Sequence, residues 1–238
     1  MFRDLVKRRA QGEPVAYIVG RKEFYGREFV VDRRVLVPRP ETELLIDAVK
    51  RHVAANATEA AALRIVDVGT GSGTIAVTLA AEPRATHPEL VVVGVDLSPD
   101  ALAVALDNAT RHDVRDVVKL VTGDATAPLK TPQSVDVLVS NPPYLDDALM
   151  STLPRDVRDF EPELALYGGT DGMDVLRRLV RDGPRVLRNG GLLALEGASD
   201  AQMAALCELI RSLGVYEEPR VVRDYAHIGR LVTARLLA

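Results

Sequence analysis

Short apolar runs alternate with longer amphipathic stretches through most of the chain. The apolar runs predict strands at residues 63–68, 90–95, 117–122, 135–140 and 191–196. Apolar positions spaced as on one helical face predict helices at residues 74–81, 99–109, 174–187 and 201–213. Strands that are apolar throughout are typical of a parallel sheet buried on both faces. The pattern therefore predicts an α/β fold, doubly wound around a mostly parallel sheet.

The pattern changes at both ends of this series. Residues 15–37 alternate apolar and polar positions around Gly20 and Gly26, which predicts short strands in a small N-terminal β-hairpin. Pro38-Arg39-Pro40 ends that alternation, and a helix is predicted at residues 41–53. Near the C-terminus, two predicted strands lie too close in the chain for a helical crossover, so we expect an antiparallel pair that brings the sheet to seven strands. They are residues 215–222 and 231–237.

Composition narrows the class of protein. The chain has 238 residues, of which 47% are hydrophobic and 27% charged, as in ordinary globular proteins. Its single cysteine, Cys207, excludes an internal disulfide, and no pair among the four histidines has ligand spacing, so we expect no metal. The formal net charge of −4 makes direct nucleic-acid binding an unfavoured function.

Targeting signals are also not evident in the sequence. No run approaches the roughly 18 apolar residues of a membrane span. The segment Met1-Phe2-Arg3-Asp4-Leu5 has no apolar signal core. We therefore expect a cytoplasmic protein without a membrane partner.

Glycines join the first predicted parallel strand to its helix, in Gly69-Thr70-Gly71-Ser72-Gly73. Glycine allows tight turning and lets backbone approach a ligand closely. Dinucleotide-binding loops are similar but place Gly or Ala where Thr74 stands here, so the spacing favours another nucleoside cofactor. The loop residues predicted to bind it are Gly69, Thr70, Gly71, Ser72 and Gly73.

Acidic residues end the next two predicted strands. Asp96 could accept hydrogen bonds from both hydroxyls of a ribose, and Asp124 could meet an adenine amine whose ring lies near Ala125. Each acid could instead be a helix cap or a turn residue. Because consecutive parallel strands end at the same edge of a sheet, we expect all of these residues to border one nucleoside site.

Asn141-Pro142-Pro143-Tyr144 follows the apolar run at 135–140. Two prolines fix φ and remove backbone donors, so the turn presents carbonyl acceptors. The Asn141 oxygen and a neighbouring carbonyl could take both hydrogens of a planar NH₂ group, with the Tyr144 ring beside its plane. We therefore predict that these four residues are catalytic and substrate-binding, and that Asn141 also borders the cofactor. A turn that only ends a strand is the alternative.

The glycine loop, the acids and this turn together resemble the class I S-adenosylmethionine-dependent methyltransferases. Within that class, five motifs over about residues 11–200 resemble the peptide-chain release factor N5-glutamine methyltransferases. The motifs are Glu13-Pro14-Val15-Ala16-Tyr17-Ile18, Pro38-Arg39-Pro40-Glu41-Thr42-Glu43, Asn141-Pro142-Pro143-Tyr144, Phe160-Glu161-Pro162 and Gly168-Gly169-Thr170-Asp171-Gly172.

The resemblance implies a Rossmann-like fold, S-adenosyl-L-methionine as cofactor and a release factor as protein substrate. The methyl group would go to the amide nitrogen of the glutamine in the release factor's Gly-Gly-Gln loop. Arg39 and Glu41 either line the substrate mouth or shape the start of the helix that follows them. Phe160-Glu161-Pro162 is expected in a loop over the active site.

Other functions remain open at this point. The same turn would serve N6-adenine or N2-guanine methylation of nucleic acid, since both acceptors present a planar NH₂. Such enzymes must also extract the target base, and the sequence offers no basic groove for it. A non-catalytic binding module and a nicotinamide dehydrogenase are further alternatives.

Two regions depart from the family pattern: the N-terminal region, and residues 224–230 near the C-terminus, which fit the pattern only loosely. Members of this family carry a helical domain of several dozen residues before the Glu-Pro-x-Ala-Tyr segment, and only about a dozen residues precede it here. We expect an N-terminal segment at 1–40, which holds the hairpin, and a catalytic domain at 41–238. From this difference in pattern we expect weaker docking of the release factor.

Overall fold

The computed structural model describes residues 2–56, 62–82 and 87–238. The strands are β1 (Arg21–Phe24), β2 (Arg27–Val30), β3 (Arg64–Val68), β4 (Val91–Asp96), β5 (Val118–Thr122), β6 (Val135–Ser140), β7 (Leu187–Glu196), β8 (Arg220–Arg223) and β9 (Gly229–Arg235). The helices are α1 (Phe2–Ala10), α2 (Val15–Val19), α3 (Glu43–Ala55), α4 (Thr74–Ala81), α5 (Pro99–Arg111), α6 (Asp147–Ser151), α7 (Arg155–Arg158), α8 (Asp174–Val186) and α9 (Asp200–Leu213). Two 3₁₀ turns cover Pro40–Thr42 and Glu163–Ala165.

The described residues form a seven-stranded sheet with the order β5-β4-β3-β6-β7-β9-β8. Strands β3 to β7 run parallel, and β9 lies antiparallel between β7 and β8. Strand order reverses direction on either side of β3, which is the doubly wound arrangement. The predicted fold, with its antiparallel C-terminal pair and separate N-terminal hairpin, is confirmed.

Both faces of the sheet are covered. Along β6, Val137 and Val139 pack with α3 and α4 on one face, whereas Leu138 packs with α8 and α9 on the other. Every residue of β6 is buried. This explains why the strand is mostly apolar and does not alternate between apolar and exposed polar positions. None of the helices in the described part of the chain has both the length and the apolar character of a membrane span.

The N-terminal region differs from its prediction. Strands occupy only β1 and β2 within residues 15–37, and Val15–Val19 is a helix that begins after Pro14 and ends at Gly20, whose φ is +74°. Tyr17 is the buried residue of that helix, and its hydroxyl donates to the Val35 carbonyl. The strand predicted at the start of this region was therefore wrong. The alternating pattern does not reflect a strand with one buried face, because residues 15–19 are held in place by the single buried side chain of Tyr17.

The hairpin is tied to the main body by a buried amide. The Asn108 side chain on α5 accepts from the Val30 N–H at 2.8 Å and donates to the Val30 carbonyl at 3.0 Å. Its Nδ2 also donates to the Ser72 carbonyl at 2.8 Å. Phe24 and Phe29 lie in the same core cluster as residues of α3 and α4. One side chain thus connects the hairpin to the loop before α4.

The first of the two C-terminal strands is shorter than predicted. Within residues 215–222 the ladder begins only at Arg220, and Tyr216 forms an isolated bridge with Leu236. The buried Tyr216 hydroxyl donates to the Val180 carbonyl on α8 at 2.9 Å. This part of the segment is therefore held by an isolated bridge and one long side chain, and not by a continuous ladder.

Candidate active site

A cleft opens where the parallel strands end. Its lining comes from β3, β4, β5 and β6 together with two loops, one at residues 34–36 and one at residues 162–167. The lining residues are Arg34, Val35, Leu36, Val68, Gly69, Gly71, Val95, Asp96, Leu97, Ser98, Ala101, Gly123, Asp124, Ala125, Asn141, Pro142, Pro143, Pro162, Leu164, Ala165, Tyr167 and Val175. The cleft lies at the switch point beside β3, where open α/β sheets bind ligands.

The glycine loop between β3 and α4 forms the floor of this cleft. Gly69 and Gly71 line it and have φ angles of +70° and +55°, which side chains with a Cβ rarely adopt. Gly73 has φ +79°, and a Cβ there would lie 3.0 Å from the Ala105 Cβ, so its small size brings α4 and α5 together. The Thr70 hydroxyl donates to Asp67 at 2.6 Å. Ser72 is buried, and its carbonyl holds Asn108.

Asp67 supports the loop from beneath. Its Oδ2 accepts from the Thr70 hydroxyl and, at 3.2 Å, from the Ala76 N–H. Within the described residues, its buried Oδ1 has no hydrogen-bond partner. Burial raises the pKa of this carboxyl to about 7, and its hydrogen bonds only partly offset the effect. Asp67 thus shapes the glycine loop from inside the protein.

Asp96 ends β4 and faces the cleft. Its Oδ2 accepts from the Gly71 N–H at 2.8 Å, and its Oδ1 accepts from the Ser98 N–H at 2.9 Å. Burial raises the pKa of Asp96, and hydrogen bonds from the backbone of Ser98, Gly71 and Leu97 lower it. Each carboxylate oxygen keeps lone-pair capacity for a further donor. The arrangement fits a diol that approaches from the cleft, as a ribose would.

Asp124 and Ala125 follow β5 on the same edge. Ala125 is buried with φ +48°, an uncommon value for a residue with a Cβ. The Asp124 carboxylate is half-exposed and pairs with Arg178 at 2.5 Å. Both residues line the cleft, as predicted, although the carboxylate is already occupied by an arginine.

The turn after β6 forms the opposite wall. Asn141, Pro142 and Pro143 line the cleft. The Asn141 Nδ2 donates to the Thr42 hydroxyl at 3.1 Å, and Thr42 is only 3% exposed. Tyr144 points inward and packs against the core on the α8 side of the sheet. Its hydroxyl donates to Glu196 Oε1 at 3.2 Å.

Glu196 ends β7 beneath this turn and is 2% exposed. Burial raises the pKa of its carboxyl to about 7, while hydrogen bonding with Thr42 and Tyr144 lowers it. The charges of Glu41 and Arg230 act on it as well. Sequence reasoning missed both Thr42 and Glu196 as site residues. The signal was present, since Thr42 lies in the Pro-Arg-Pro-Glu-Thr-Glu motif and Glu196 ends a predicted strand.

The glycine-rich segment at residues 168–172 packs on the back of the turn. A Cβ on Gly168 would lie 2.6 Å from the Pro143 carbonyl oxygen and 2.7 Å from the Tyr144 Cα. The Gln202 Nε2 donates to the Tyr144 carbonyl at 2.7 Å and to the Gly172 carbonyl at 3.2 Å. The segment is thus a backbone support for the turn, a role the sequence did not reveal.

Arg39 joins two loops near the mouth of the site. Its guanidinium lies 2.7 Å from the Glu161 carboxylate, which is almost fully buried and also accepts from the Val37 N–H. Burial raises the pKa of Glu161, and Arg39 lowers it. Glu41 is half-buried within the 3₁₀ turn that precedes α3. Pro162 lines the cleft, so the predicted loop over the site borders it.

The described residues include no group of three or more His, Cys, Asp or Glu side chains placed to hold a metal ion. The polar groups of the cleft are instead carboxylates, an amide and backbone. Deep apolar surface from Val68, Val95 and Ala101 lies among them. Such a lining suits a nucleoside, with a flat apolar base and a polar sugar.

Comparison with known proteins agrees with this geometry. The family described as a methyltransferase domain matches residues 59–223. Among solved structures, the chain resembles the E. cuniculi Mtq2-Trm112 complex responsible for methylation of the eRF1 translation termination factor, with a TM-score of 0.56, 24% identity and coverage of 86% of this chain and 99% of that one. It also resembles the human Mettl16 catalytic domain in complex with MAT2A 3'UTR hairpin 6, with a TM-score of 0.66, 14% identity and coverage of 100% and 93%. At these identities the two structures establish the fold.

Sequence relatives are more specific. A release factor glutamine methyltransferase of Nitratidesulfovibrio vulgaris strain Hildenborough is 44% identical over 237 residues, which cover 99% of this chain and 77% of the relative. Another, of Moorella thermoacetica, is 43% identical over 234 residues, which cover 98% of this chain and 78% of the relative. With such identity across nearly its whole length, the chain belongs to the release factor glutamine methyltransferase family.

Proposed function

We propose that this protein transfers a methyl group from S-adenosyl-L-methionine to the side-chain amide nitrogen, N5, of the glutamine in a release factor's Gly-Gly-Gln loop. The observation that carries the proposal is that Asn141-Pro142-Pro143 ends β6 as one wall of the cleft that Gly71 and Asp96 line. A turn suited to an amide thus faces a site suited to a nucleoside. The protein would act in the cytoplasm, at translation termination.

The cofactor supplies a sulfonium whose methyl group is already activated toward transfer. The chain has to bind it in one orientation. Asp96 accepts from the ribose hydroxyls through the lone pairs that Gly71 and Ser98 leave free. Gly69 and Gly71 let the backbone approach the ligand without a Cβ. Asp124 and Ala125 border the adenine, and Thr70, Ser72 and Gly73 keep the loop in shape.

The acceptor amide is held by the turn. The Asn141 oxygen and the Pro142 carbonyl accept the two NH₂ hydrogens, which turns the nitrogen toward the methyl group. Neither proline carries an N–H that could compete for these acceptors. A glutamine amide is a poor nucleophile, so orientation is the main contribution of the protein, and well-aligned reactants can gain about 7–11 kcal/mol. The alkylated amide then loses its proton without a strong base.

Protein is favoured over nucleic acid as the substrate. The relatives that cover nearly the whole chain are named for release factors. A net charge of −4 does not suit a protein that must grip a polyanion. The solved structures of this fold act in both settings, so the fold by itself does not separate the two substrates.

The proposal is tested by methyl transfer from labelled cofactor to a purified release factor, followed by mass spectrometry of the tryptic peptide. We expect label on the glutamine of the Gly-Gly-Gln loop. Replacing that glutamine by glutamate removes the NH₂ group, and replacing it by asparagine leaves the nitrogen one methylene short, so both changes should abolish labelling. Label in RNA or DNA, with none in the release factor, would refute the proposal and favour nucleic-acid methylation.

A further inference from the structure

The amide of Asn141 has two chemically opposite ends, and only one of them can accept hydrogens from a substrate NH₂ group. In the structure the Nδ2 end donates to the Thr42 hydroxyl at 3.1 Å. The oxygen is therefore the end left for the cleft. Whatever fixes the polarity of Thr42 also fixes which end of Asn141 the substrate meets.

A threonine hydroxyl has one hydrogen to donate and lone pairs that accept. When its hydrogen points to another acceptor, the hydroxyl oxygen is free to accept from Asn141. When the other neighbour of the hydroxyl is a hydrogen-bond donor and not an acceptor, the hydroxyl rotates and donates its hydrogen to Asn141 instead. The amide would then reverse and present its NH₂ group to the cleft.

Glu196 is the neighbour that decides between these two states. It is 2% exposed, and its Oε1 accepts from the Tyr144 hydroxyl at 3.2 Å. In the described part of the chain, its buried Oε2 has no hydrogen-bond partner. Thr42 is buried beside it and lowers the pKa of its carboxyl through hydrogen bonding. In its ionised form the carboxylate can only accept, so it draws the Thr42 hydrogen toward itself.

We propose that Glu196 is a positioning residue that acts through Thr42 to keep the Asn141 oxygen, and not its nitrogen, directed at the acceptor amide. This inference rests on the proposed transfer to a glutamine side chain and adds the group that sets the polarity of the turn. Glu196 itself is not among the residues that line the cleft. Asn141 donates to Thr42, and on this proposal the unpartnered oxygen of the Glu196 carboxylate attracts the Thr42 hydrogen.

Reversal of the amide would remove more than one hydrogen bond. The Asn141 NH₂ group would then face the substrate NH₂ group, and two donors would meet without an acceptor between them. The substrate nitrogen would lose its alignment with the methyl group, whereas the cleft that binds the nucleoside would be unchanged. The effect should therefore fall on kcat and not on cofactor affinity.

Glu196→Gln is the discriminating variant because it keeps the size and shape of the side chain. In this variant the amide oxygen of the new side chain accepts from the Tyr144 hydroxyl, as Oε1 does in the wild type. The NH₂ group of the new side chain then occupies the position of Oε2. We expect kcat for release-factor methylation to fall by about 10- to 100-fold, the range seen when partners that orient a functional side chain are removed. We expect KM and the calorimetric Kd for S-adenosylmethionine to change by less than about twofold. Glu13→Gln, a buried carboxylate paired with Arg8, is the matched control and should retain kcat.

A second pair of variants tests the intermediary. Thr42→Ser keeps the hydroxyl and should retain most of kcat. Thr42→Val has nearly the same shape without a hydroxyl, and should lose about as much kcat as Glu196→Gln. A Thr42→Val protein with the kcat of wild type would overturn the proposal, even if Glu196→Gln failed to fold.

A rescue experiment separates polarity from packing. Asn141→Asp in the Glu196→Gln background puts an oxygen at both ends of the side chain, so one can accept from Thr42 while the other faces the cleft. We expect the double variant to recover kcat relative to Glu196→Gln, which a loss of packing would not allow. Absence of transfer by wild type refutes the proposed function. Normal transfer by both wild type and Glu196→Gln refutes only the role of Glu196.

Discussion

The guanidinium of Arg39 and the carboxylate of Glu161 meet at 2.7 Å, although they are 122 residues apart in the chain. Arg39 immediately precedes the 3₁₀ turn that holds Thr42, and Glu161 precedes the cleft residue Pro162. The pair thus fixes the distance between two loops that border the site. Whether Arg39 shapes the helix start or lines the substrate mouth stays a prediction, and the observed role of its side chain is to join these loops.

Arg39→Met should lower the free energy of unfolding by about 1–3 kcal/mol, because it leaves the buried Glu161 carboxylate without its charged partner. Urea denaturation measures the change. Arg21→Met breaks an ion pair with Glu28 in which both side chains are more than half exposed, so it should cost less than about 1 kcal/mol. Equal losses in the two variants would contradict a structural role for the Arg39 pair.

Asp96→Ala should weaken binding of S-adenosylmethionine by at least about 1.5 kcal/mol, the scale of hydrogen bonds to a charged group. The variant removes the acceptor for the ribose and releases the Gly71 N–H. Isothermal calorimetry gives the affinity. Asp100→Ala, an exposed acid in the first turn of α5, is the control and should bind like wild type. Unchanged affinity in Asp96→Ala would exclude that residue from the site.

Asn141→Ala should reduce turnover by a factor of about 100 or more, because the acceptor amide loses its alignment. The side chain makes one hydrogen bond, to Thr42, so the melting temperature should change little. Single-turnover kinetics and thermal denaturation provide the two readings. A parallel fall in both would mean that Asn141 holds the turn and does not act on the substrate.

Gly168→Ala should impair both stability and turnover. The new Cβ would meet backbone atoms of Pro143 and Tyr144, which cannot move without shifting the turn. We expect a stability loss of about 1–3 kcal/mol and a fall in kcat of about 10- to 100-fold from misplacement of the turn.

Gly214→Ala is the matched control for this change. Gly214 caps α9 with φ +65°, and a Cβ there would meet nothing within 4 Å. The substitution should cost about 1–2 kcal/mol through backbone strain alone, with kcat unaffected. If both variants kept normal turnover, the segment at residues 168–172 would not support the catalytic turn.

The free energy of unfolding should depend on pH through Asp67. Burial raises its pKa from 3.8 to about 7, and the nearby Asp96 carboxylate acts in the same direction. Between about pH 4 and 7 the folded protein holds a proton that the unfolded chain has released. The contribution of this group is therefore complete below pH 4 and declines as the pH rises, by up to about 1.4 kcal/mol per pH unit.

Asp67→Asn removes that titration while its oxygen can still accept from Thr70 and Ala76. Denaturation of wild type and variant at several pH values isolates the contribution of Asp67. We expect the unfolding free energy of the wild type, minus that of the variant, to fall from pH 4 to pH 7. A constant difference across that range would show that Asp67 is ionised throughout.

Much of the architecture follows from local sequence. Each parallel strand is a short apolar run, and the residues predicted at strand ends, such as Asp96 and Asn141, line one cleft because parallel strands end at the same edge. Thr42 could not be predicted as their partner. It is 99 residues from Asn141 in the chain, and only the folded protein brings the two side chains together.

The sequence-based predictions that were wrong or incomplete also have a physical explanation. The alternation in residues 15–37 predicted strands. Tyr17 instead lies in a helix, and its hydroxyl donates a hydrogen bond to the carbonyl of Val35, which is 18 residues further along the chain. Gly168 was seen as part of a motif, yet its role depends on how closely another backbone approaches it. Contacts of this kind leave no periodicity in the sequence, since a single residue makes each of them.

Asn108 makes the N-terminal hairpin and the cofactor loop thermodynamically dependent on each other. It holds Val30 on one side and Ser72 on the other, so an opening of either segment leaves part of the hydrogen-bonding capacity of a buried amide unsatisfied. Linkage is reciprocal: a ligand that tightens the glycine loop must strengthen the docking of the hairpin by the same factor. Slower hydrogen exchange at the Val30 amide would then report on occupancy of a cleft that this residue does not line.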